Sequence, residues 1–389
     1  MNPQDVIEIP TAVLFTDERV RARGLTLQSQ TVMTGAIEEL KELGCPHLTI
    51  ACRPWREQTG FSSDATNTTL CYLSDWQGLG LIWSLPMTVL RIRQILKSSP
   101  PVIIAALPSL NGLVAGLLCS RKHPATIRLI TLNRGSLEPV RVRLDGSVGP
   151  LVGPALAIVE QALRTINRKA DVAVYVSSSL VPDRRASNIA IAPEVDWKAL
   201  EAANPPGGVR RDVALFVGRL EEEKGPMLAL ESFLKSHCRD AELWIIGEGS
   251  QRTHLEKIAA EQPERKIRFL GRVPHQEVLT IMAEAQTILI PSLAEGFGLV
   301  ALEAALQGCW AIHSGAGGLP EALSGLERAV QVASRDPLDW AVALENAMFT
   351  RANQEVATRR TFEEIRAERG WRRLGEIVGN QMQTILGGA

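Results

Sequence analysis

Several signatures that would assign a chemistry at once are missing from this sequence. It has no D-x-D pair to hold a nucleotide through a metal, no H-E-x-x-H, no phosphate-binding P-loop and no G-x-S-x-G. The six histidines (His47, His123, His237, His254, His275 and His313) show no metal-ligand spacing, so no metal site is expected. None of the six cysteines pairs as C-x-x-C, and they scatter among apolar neighbours. They read as buried free thiols in a reducing compartment. There is no excess of charge either: 42 Lys and Arg face 43 Asp and Glu, which argues against a nucleic-acid partner. The opening residues, MNPQDVIEIP, hold neither a basic region nor an apolar core, so no signal peptide is expected and the location expected is cytoplasmic. Tandem repeats and low-complexity tracts are absent as well.

What remains is a 389-residue chain with 45% apolar and 22% charged residues, the balance of a soluble globular protein. Its length suits two domains. The first 200 residues hold 21 basic and 17 acidic side chains, the rest 21 and 26. A slightly basic first half would suit an anionic partner, although chance variation explains the split as well. The run 98–120 is uncharged and long enough to span a membrane. Pro108, Ser109, Asn111 and Gly112 divide it, so it reads as a strand, a turn and a buried helix.

Apolar β-rich runs alternate with helical stretches, the pattern of α/β units with parallel sheets. Strands are expected at 11–15, 47–52, 102–106, 127–131 and 172–176, with helices at 31–43, 110–120 and 161–170. A Pro–Gly cluster at 204–208 breaks the alternation. Strands then resume at 213–217, 242–246, 267–270, 287–290 and 310–313. The simplest architecture is two doubly wound domains, residues 1–203 and 204–368, facing across a cleft. Ligands in such folds bind beyond the carboxyl ends of the strands.

The most informative segment runs from Ile288 to Ala304. A buried strand ends at Pro291, a glycine loop follows, and a helix opens near Gly298. The first-turn amides of that helix, with its dipole, form an anion site. Gly296 and Gly298 let a phosphate approach the backbone. Glu295 in the loop and Glu303 in the second helical turn are placed to accept sugar or ribose hydroxyls. By themselves they equally suit a loop acid and a solvated helix acid. Earlier, Arg219 and Lys224 flank a loop after the strand 213–217. Two cations there would neutralise a diphosphate. The plainer alternative is ion pairing with Glu221, Glu222 and Glu223.

Together these pieces resemble the family 4 retaining glycosyltransferases, which have the GT-B fold. The likeness rests on Val217-Gly218-Arg219-Leu220 with Lys224-Gly225, then Ile246-Gly247-Glu248-Gly249, then Phe269-Leu270-Gly271-Arg272-Val273. It continues through Pro291-Ser292, the E-x7-E pair Glu295 and Glu303, and Gly317-Gly318-Leu319-Pro320-Glu321. The first half is similar more faintly, at Lys169-Ala170-Asp171 and at Ile191-Ala192-Pro193-Glu194-Val195-Asp196. The resemblance implies that Arg219 and Lys224 hold the donor diphosphate and Glu303 the ribose. It implies that Glu295 meets the transferred sugar, and that the backbone of Gly296, Phe297, Gly298 and Leu299 binds sugar and phosphate. Val273 would lie by the base. Residues 369–389 would form a last helix crossing back to the first domain. Two departures stand out. The family's usual glycine pair in the first loop is reduced to Arg23-Gly24, leaving Gly24 as the donor-side glycine. Its usual T-x-H becomes Thr131-Leu132-Asn133, so Asn133 takes the place of a catalytic histidine.

The function this implies is metal-independent, retaining transfer of a sugar from a UDP- or GDP-sugar, with no further cofactor, to a glycan, lipid-linked or small-molecule acceptor. Two alternatives stay open: a GT-B sugar-nucleotide epimerase, or a non-catalytic nucleotide-sugar-binding subunit. The stretch 76–97, with Trp76, Trp83 and Leu85 near Arg91, Arg93 and Lys97, reads either as a core helix with a basic edge or as a peripheral contact with the cytoplasmic membrane.

Overall fold

A computed structural model describes residues 12–23, 26–29, 48–53, 61–63, 68–72, 80–97, 102–107, 110–121, 128–133, 152–183, 185, 187–190, 195, 197–203 and 210–350. Two compact units result, and the chain passes from the first to the second between Glu194 and Val195.

The first unit is built on a sheet of nine strands: β1 (Ala12–Arg23), β2 (Thr26–Ser29), β3 (Leu48–Arg53), β4 (Phe61–Ser63), β5 (Thr68–Tyr72), β6 (Val102–Leu107), β7 (Arg128–Asn133), β8 (Val172–Tyr175) and β9 (Asn188–Ala190). Their order is β4-β5-β3-β1-β6-β7-β8-β9, with β2 hanging from β1. All neighbours along that order are parallel except β4 against β5. Three helices are described: α1 (Gly80–Lys97), α2 (Leu110–Arg121) and α3 (Val152–Lys169). The uncharged run expected to fold into a strand and a helix does so, as β6 and α2. Ile92 of α1, Ile103 of β6, Ala115 of α2, Leu129 of β7 and Ile166 of α3 meet in one apolar core. Among the described residues no helix is long and apolar enough to cross a membrane.

The loop expected after the first strand is instead a hairpin. β1 continues to Arg23 and pairs antiparallel with β2, Val20 opposite Ser29 and Arg23 opposite Thr26. Alternation of Val20 and Ala22 with Arg19, Arg21 and Arg23 is a strand pattern, and it extends the strand past a register shift between Phe15 and Arg19. Gly24 itself lies outside the described residues, as do the helix expected at 31–43 and the segment 369–389.

The second unit carries a six-stranded, wholly parallel sheet: β10 (Arg211–Val217), β11 (Glu242–Ile246), β12 (Lys266–Gly271), β13 (Ala285–Ile290), β14 (Trp310–His313) and β15 (Ala329–Gln331). Its order is β12-β11-β10-β13-β14-β15. The chain builds outward from β10 on one side, then returns to build outward on the other. That reversal places a topological switch point between β10 and β13. Every residue of β13 is buried, Gln286 and Thr287 included, as the place of a central parallel strand requires.

The helices of this unit are α4 (Trp197–Ala203), α5 (Pro226–Lys235), α6 (Arg252–Ala260), α7 (His275–Glu284), α8 (Leu299–Leu306), α9 (Leu319–Ala322) and α10 (Pro337–Phe349). Phe233 of α5 and Trp340 and Leu344 of α10 are fully buried against the sheet. α4 precedes the Pro–Gly cluster at 204–208, yet it belongs to the second unit. The side-chain amides of Gln276 and Gln307 donate to the carbonyls of Ala199 and Leu200, at 3.1 and 2.8 Å, and hold it there.

Candidate functional site

The switch point sets β10 beside β13, so the loops leaving their carboxyl ends are neighbours. The first loop ends in a tight turn over Glu222–Lys224. The second begins at buried Pro291 and Ser292. The Leu293 N–H donates to the Glu223 carbonyl at 2.8 Å and ties the two loops together. Arg335 Nη1 donates to the Pro291 carbonyl at 2.6 Å from the other side. Burial holds the Arg335 guanidinium below its usual pKa.

Across this junction Lys224 Nζ donates to Glu295 Oε2 at 2.6 Å, and both side chains are only about one-fifth exposed. Ser292 Oγ stands 3.4 Å from the same carboxylate oxygen. Glu295 is further fixed through its backbone. Gly317 has a φ of +57°, and a Cβ there would lie 1.8 Å from the Glu295 carbonyl oxygen. The loop after β14 therefore lies directly against Glu295. Ser314 Oγ completes the join by donating to the Ser292 carbonyl at 2.6 Å.

α8 opens immediately beyond. Gly298 is its N-terminal cap, with φ +100°, and no side chain caps the first turn. Uncapped first-turn amides on a helix of this dipole favour an anion. Gly296 and Leu299 are half-buried around this opening and Phe297 is buried. Glu303, one turn further on, is buried, and its Oε1 lies 3.0 Å from Nε2 of His275. Val273 is half-buried in the short segment between β12 and α7, the segment that also delivers His275.

The second unit thus gathers the expected residues into two groups. Arg219, Lys224 and Glu295 belong to the β10 and β13 loops. Glu303, His275 and Val273 belong to the junction of α8 with the start of α7. Neither expected cation is uncommitted: Lys224 holds Glu295, and Arg219 Nη2 holds Glu223 Oε1 at 2.6 Å. Of the three acids weighed as partners, only Glu223 serves. Glu221 instead accepts from the Ser250 amide and hydroxyl at 3.1 and 2.7 Å. His275 and Arg335 carried no signal in the sequence, because each acts through a neighbour distant along the chain; Gly317 stood in a motif, but its approach to Glu295 did not show there.

Asn133, expected in the place of a catalytic histidine, is held by its neighbours. It lies at the end of β7 in the first unit, where its Nδ2, with two hydrogens to donate, is within hydrogen-bond distance of Thr131 Oγ1 at 3.3 Å, Asn167 Oδ1 at 3.2 Å and the Val174 carbonyl at 3.1 Å. Its Oδ1 accepts from Asn167 Nδ2 at 2.9 Å. Thr131, Asn133 and Asn167 are all buried. A buried amide satisfied on both sides is fixed in place by its neighbours.

His313, at the end of β14, is buried with no hydrogen-bond partner for Nδ1, and burial lowers its pKa. The imidazole is more basic in the unfolded chain, so unfolding takes up a proton at acid pH. Stability should therefore fall as pH drops below the ordinary imidazole value near 6.5. Urea midpoints should decline between about pH 7.5 and about pH 5.5 less steeply in His313→Asn than in the native protein. Equal slopes would show that His313 does not titrate on unfolding.

Among the described residues, no three His, Cys, Asp or Glu side chains converge as a metal site. Residues 204–362 match the family model "Glycosyl transferases group 1". A glycogen synthase of Mycobacterium tuberculosis (strain ATCC 25618 / H37Rv) is 33% identical over 181 residues, 44% of each chain. A D-inositol 3-phosphate glycosyltransferase of Corynebacterium jeikeium (strain K411) is 35% identical over 145 residues, 35% of each chain. The chain thus spans less than half the length of these curated relatives. Among solved structures, a sucrose-phosphate synthase of Thermosynechococcus elongatus superposes with a TM-score of 0.73 at 16% identity, covering 98% of this chain and 100% of that one. An Anabaena protein, HepE, in complex with UDP and glucose, gives 0.64 at 14%, covering 97% and 99%. These likenesses show the fold, the GT-B α/β pattern expected from the sequence. Residues 204–362, the part of the chain that resembles the Glycosyl transferases group 1 family, hold the switch-point loops and both acids of the E-x7-E pair.

Proposed function

We propose that the chain is a retaining glycosyltransferase that moves a sugar from a nucleoside-diphosphate sugar, a UDP- or GDP-sugar, to an acceptor hydroxyl. The observation that carries this reading is the Lys224–Glu295 pair beside the uncapped start of α8 at the switch point. A cation and unpaired amides suit a diphosphate, and a carboxylate next to them suits the hydroxyls of the attached sugar. The group 1 domain match and the relatives' names support the same reading.

The diphosphate is the leaving group, and charge grows on it as the bond to the sugar breaks. Arg219, Lys224 and the start of α8 stabilise that charge without a metal. Glu295 positions the sugar near the reacting carbon. Glu303 accepts the ribose hydroxyls, with His275 as its neighbour, and the Val273 segment lies by the base. The first unit takes the acceptor, a glycan or a lipid-linked molecule. α1 of that unit exposes Met87 and Leu90 beside exposed Arg91 and Arg93, a composition suited to peripheral contact with an anionic cytoplasmic membrane.

A panel of nucleotide sugars tested for thermal stabilisation and slow hydrolysis identifies the donor. With that donor, Glu303→Ala should weaken binding more than Glu295→Ala, and Glu295→Ala should chiefly lower turnover. Each loses a partner of a buried hydrogen bond, worth about 1–3 kcal/mol, or roughly ten- to a hundredfold. Native affinity and turnover in both variants would overturn the assignment. Firm donor binding with no transfer or hydrolysis would point to a binding subunit instead.

A further inference from the structure

Glu221, Glu222 and Glu223 are adjacent and chemically alike, yet the structure treats them differently. Glu221 secures Ser250, and Glu222 is exposed. Glu223 has a side chain with 0% exposure, and it faces a guanidinium that is 51% exposed. An ion pair between two solvated side chains does little to fix either. A carboxylate withdrawn from water is different: it is strongly destabilised without its cationic partner. The buried member therefore anchors the exposed one.

The backbone of Glu223 adds a second constraint. Its carbonyl accepts the Leu293 N–H from the loop that carries Glu295. The next residue is Lys224, which reaches Glu295 itself. One buried residue thus sets where Arg219 points and joins the turn bearing Lys224 to the loop bearing Glu295. The two cations are held unlike one another. Lys224 rests on a carboxylate that the incoming sugar would engage, so its partner is exchangeable. The partner of Arg219 is sealed away from any ligand.

We propose that Glu223 is a positioning residue that holds the Arg219 guanidinium in place for the donor diphosphate. This rests on the glycosyltransferase reading above. A planar guanidinium recognises phosphate oxygens through fixed directions, so its orientation matters as much as its charge.

The test is a double-mutant cycle on affinity for UDP and GDP, measured by calorimetry on the full chain. Arg219→Ala should weaken the better-bound of the two by roughly tenfold or more. Glu223→Gln keeps the shape and removes the charge, and it should weaken binding by about fivefold. Combined with Arg219→Ala, it should add nothing further, because its effect runs through Arg219. A merely structural Glu223 would lower the melting temperature and leave the affinity of the folded protein unchanged, which overturns the proposal. So does a full additive loss in the double variant. If Arg219→Ala binds both nucleotides as the native protein does, the diphosphate reading falls first and this inference with it. Should Glu223→Gln not fold, Glu223→Asp retains the buried charge while drawing it back from Arg219. The same weakening and the same non-additivity are then required.

Discussion

Gly317→Ala should cost the protein both stability and turnover, although Gly317 carries no chemistry. The residue sits at φ +57°, where an L side chain is already strained, and its missing Cβ would fall 1.8 Å from the Glu295 carbonyl oxygen. No rotamer relieves a clash between a Cβ and a backbone carbonyl. Either the loop after β14 or the backbone of Glu295 must move by more than an ångström. Glu295 Oε2 is 2.6 Å from Lys224 Nζ, so a shift of that size breaks the pair. Backbone strain of this kind costs about 1–3 kcal/mol. Misplacing a substrate-positioning group by about 1 Å lowers rate on the order of a hundredfold. Gly325→Ala is the control. Gly325 has φ +77° and nothing within 4 Å of a new Cβ, so it suffers strain without displacing a neighbour. Denaturation midpoints and turnover measured on both variants separate the two effects. If Gly317→Ala is no slower than Gly325→Ala, the close approach does not position Glu295.

How much of this was legible in the sequence follows from how local each interaction is. β13 could be read from the apolar run Ile288-Leu289-Ile290 that closes it, which the glycine loop and helix start follow directly. The sheet order could not be read, since which strand lies beside β10 is decided by packing between distant segments. α3 begins at Val152, well before the 161 expected, because Gly153 and Pro154 look like a stop. Proline in the first turn of a helix loses no hydrogen bond and is tolerated. β15 has three residues, too few to show a period. β2 was hidden for a different reason: the chain there was read as a ligand loop, although its alternation already spelled a strand.

The same distinction runs through the site. Arg219, Lys224, Glu295 and Glu303 stood out because each occupies a fixed place on a loop or helix start. The long-range pairings among them and their neighbours did not. Glu295 meets Lys224 across 71 residues, and Glu303 meets His275 across 28. Side-chain pairing at such separations is written in the fold, so the sequence showed which charges were present and not which neutralised which. The contacts of Asn133 were hidden in the same way. Its position at the end of β7 resembled a catalytic one, and Asn167 on α3, which meets its amide, lies 34 residues away.

Lys224→Ala should lower transfer strongly, and no added metal should restore it. The diphosphate of the donor must be neutralised as it leaves, and Lys224 and Arg219 are the cations on the switch-point loop. Loss of a charge-assisted contact costs roughly 1.5–3 kcal/mol, about ten- to a hundred-and-fiftyfold. In this site the variant also leaves Glu295 without the ammonium that now meets it at 2.6 Å, so a bare carboxylate would face the incoming phosphates. The loss should therefore fall on donor affinity as well as on turnover. Arg219→Lys should hurt for a separate reason. Glu223 is buried to receive a guanidinium, and a point charge reproduces neither that pairing nor a two-pronged contact with phosphate. Activity of the native protein should survive EDTA nearly unchanged, and Mg²⁺ or Mn²⁺ should rescue neither variant. Turnover that collapses on chelation and returns with Mn²⁺ would transfer the neutralising role to a metal, and would remove it from Arg219 and Lys224 together.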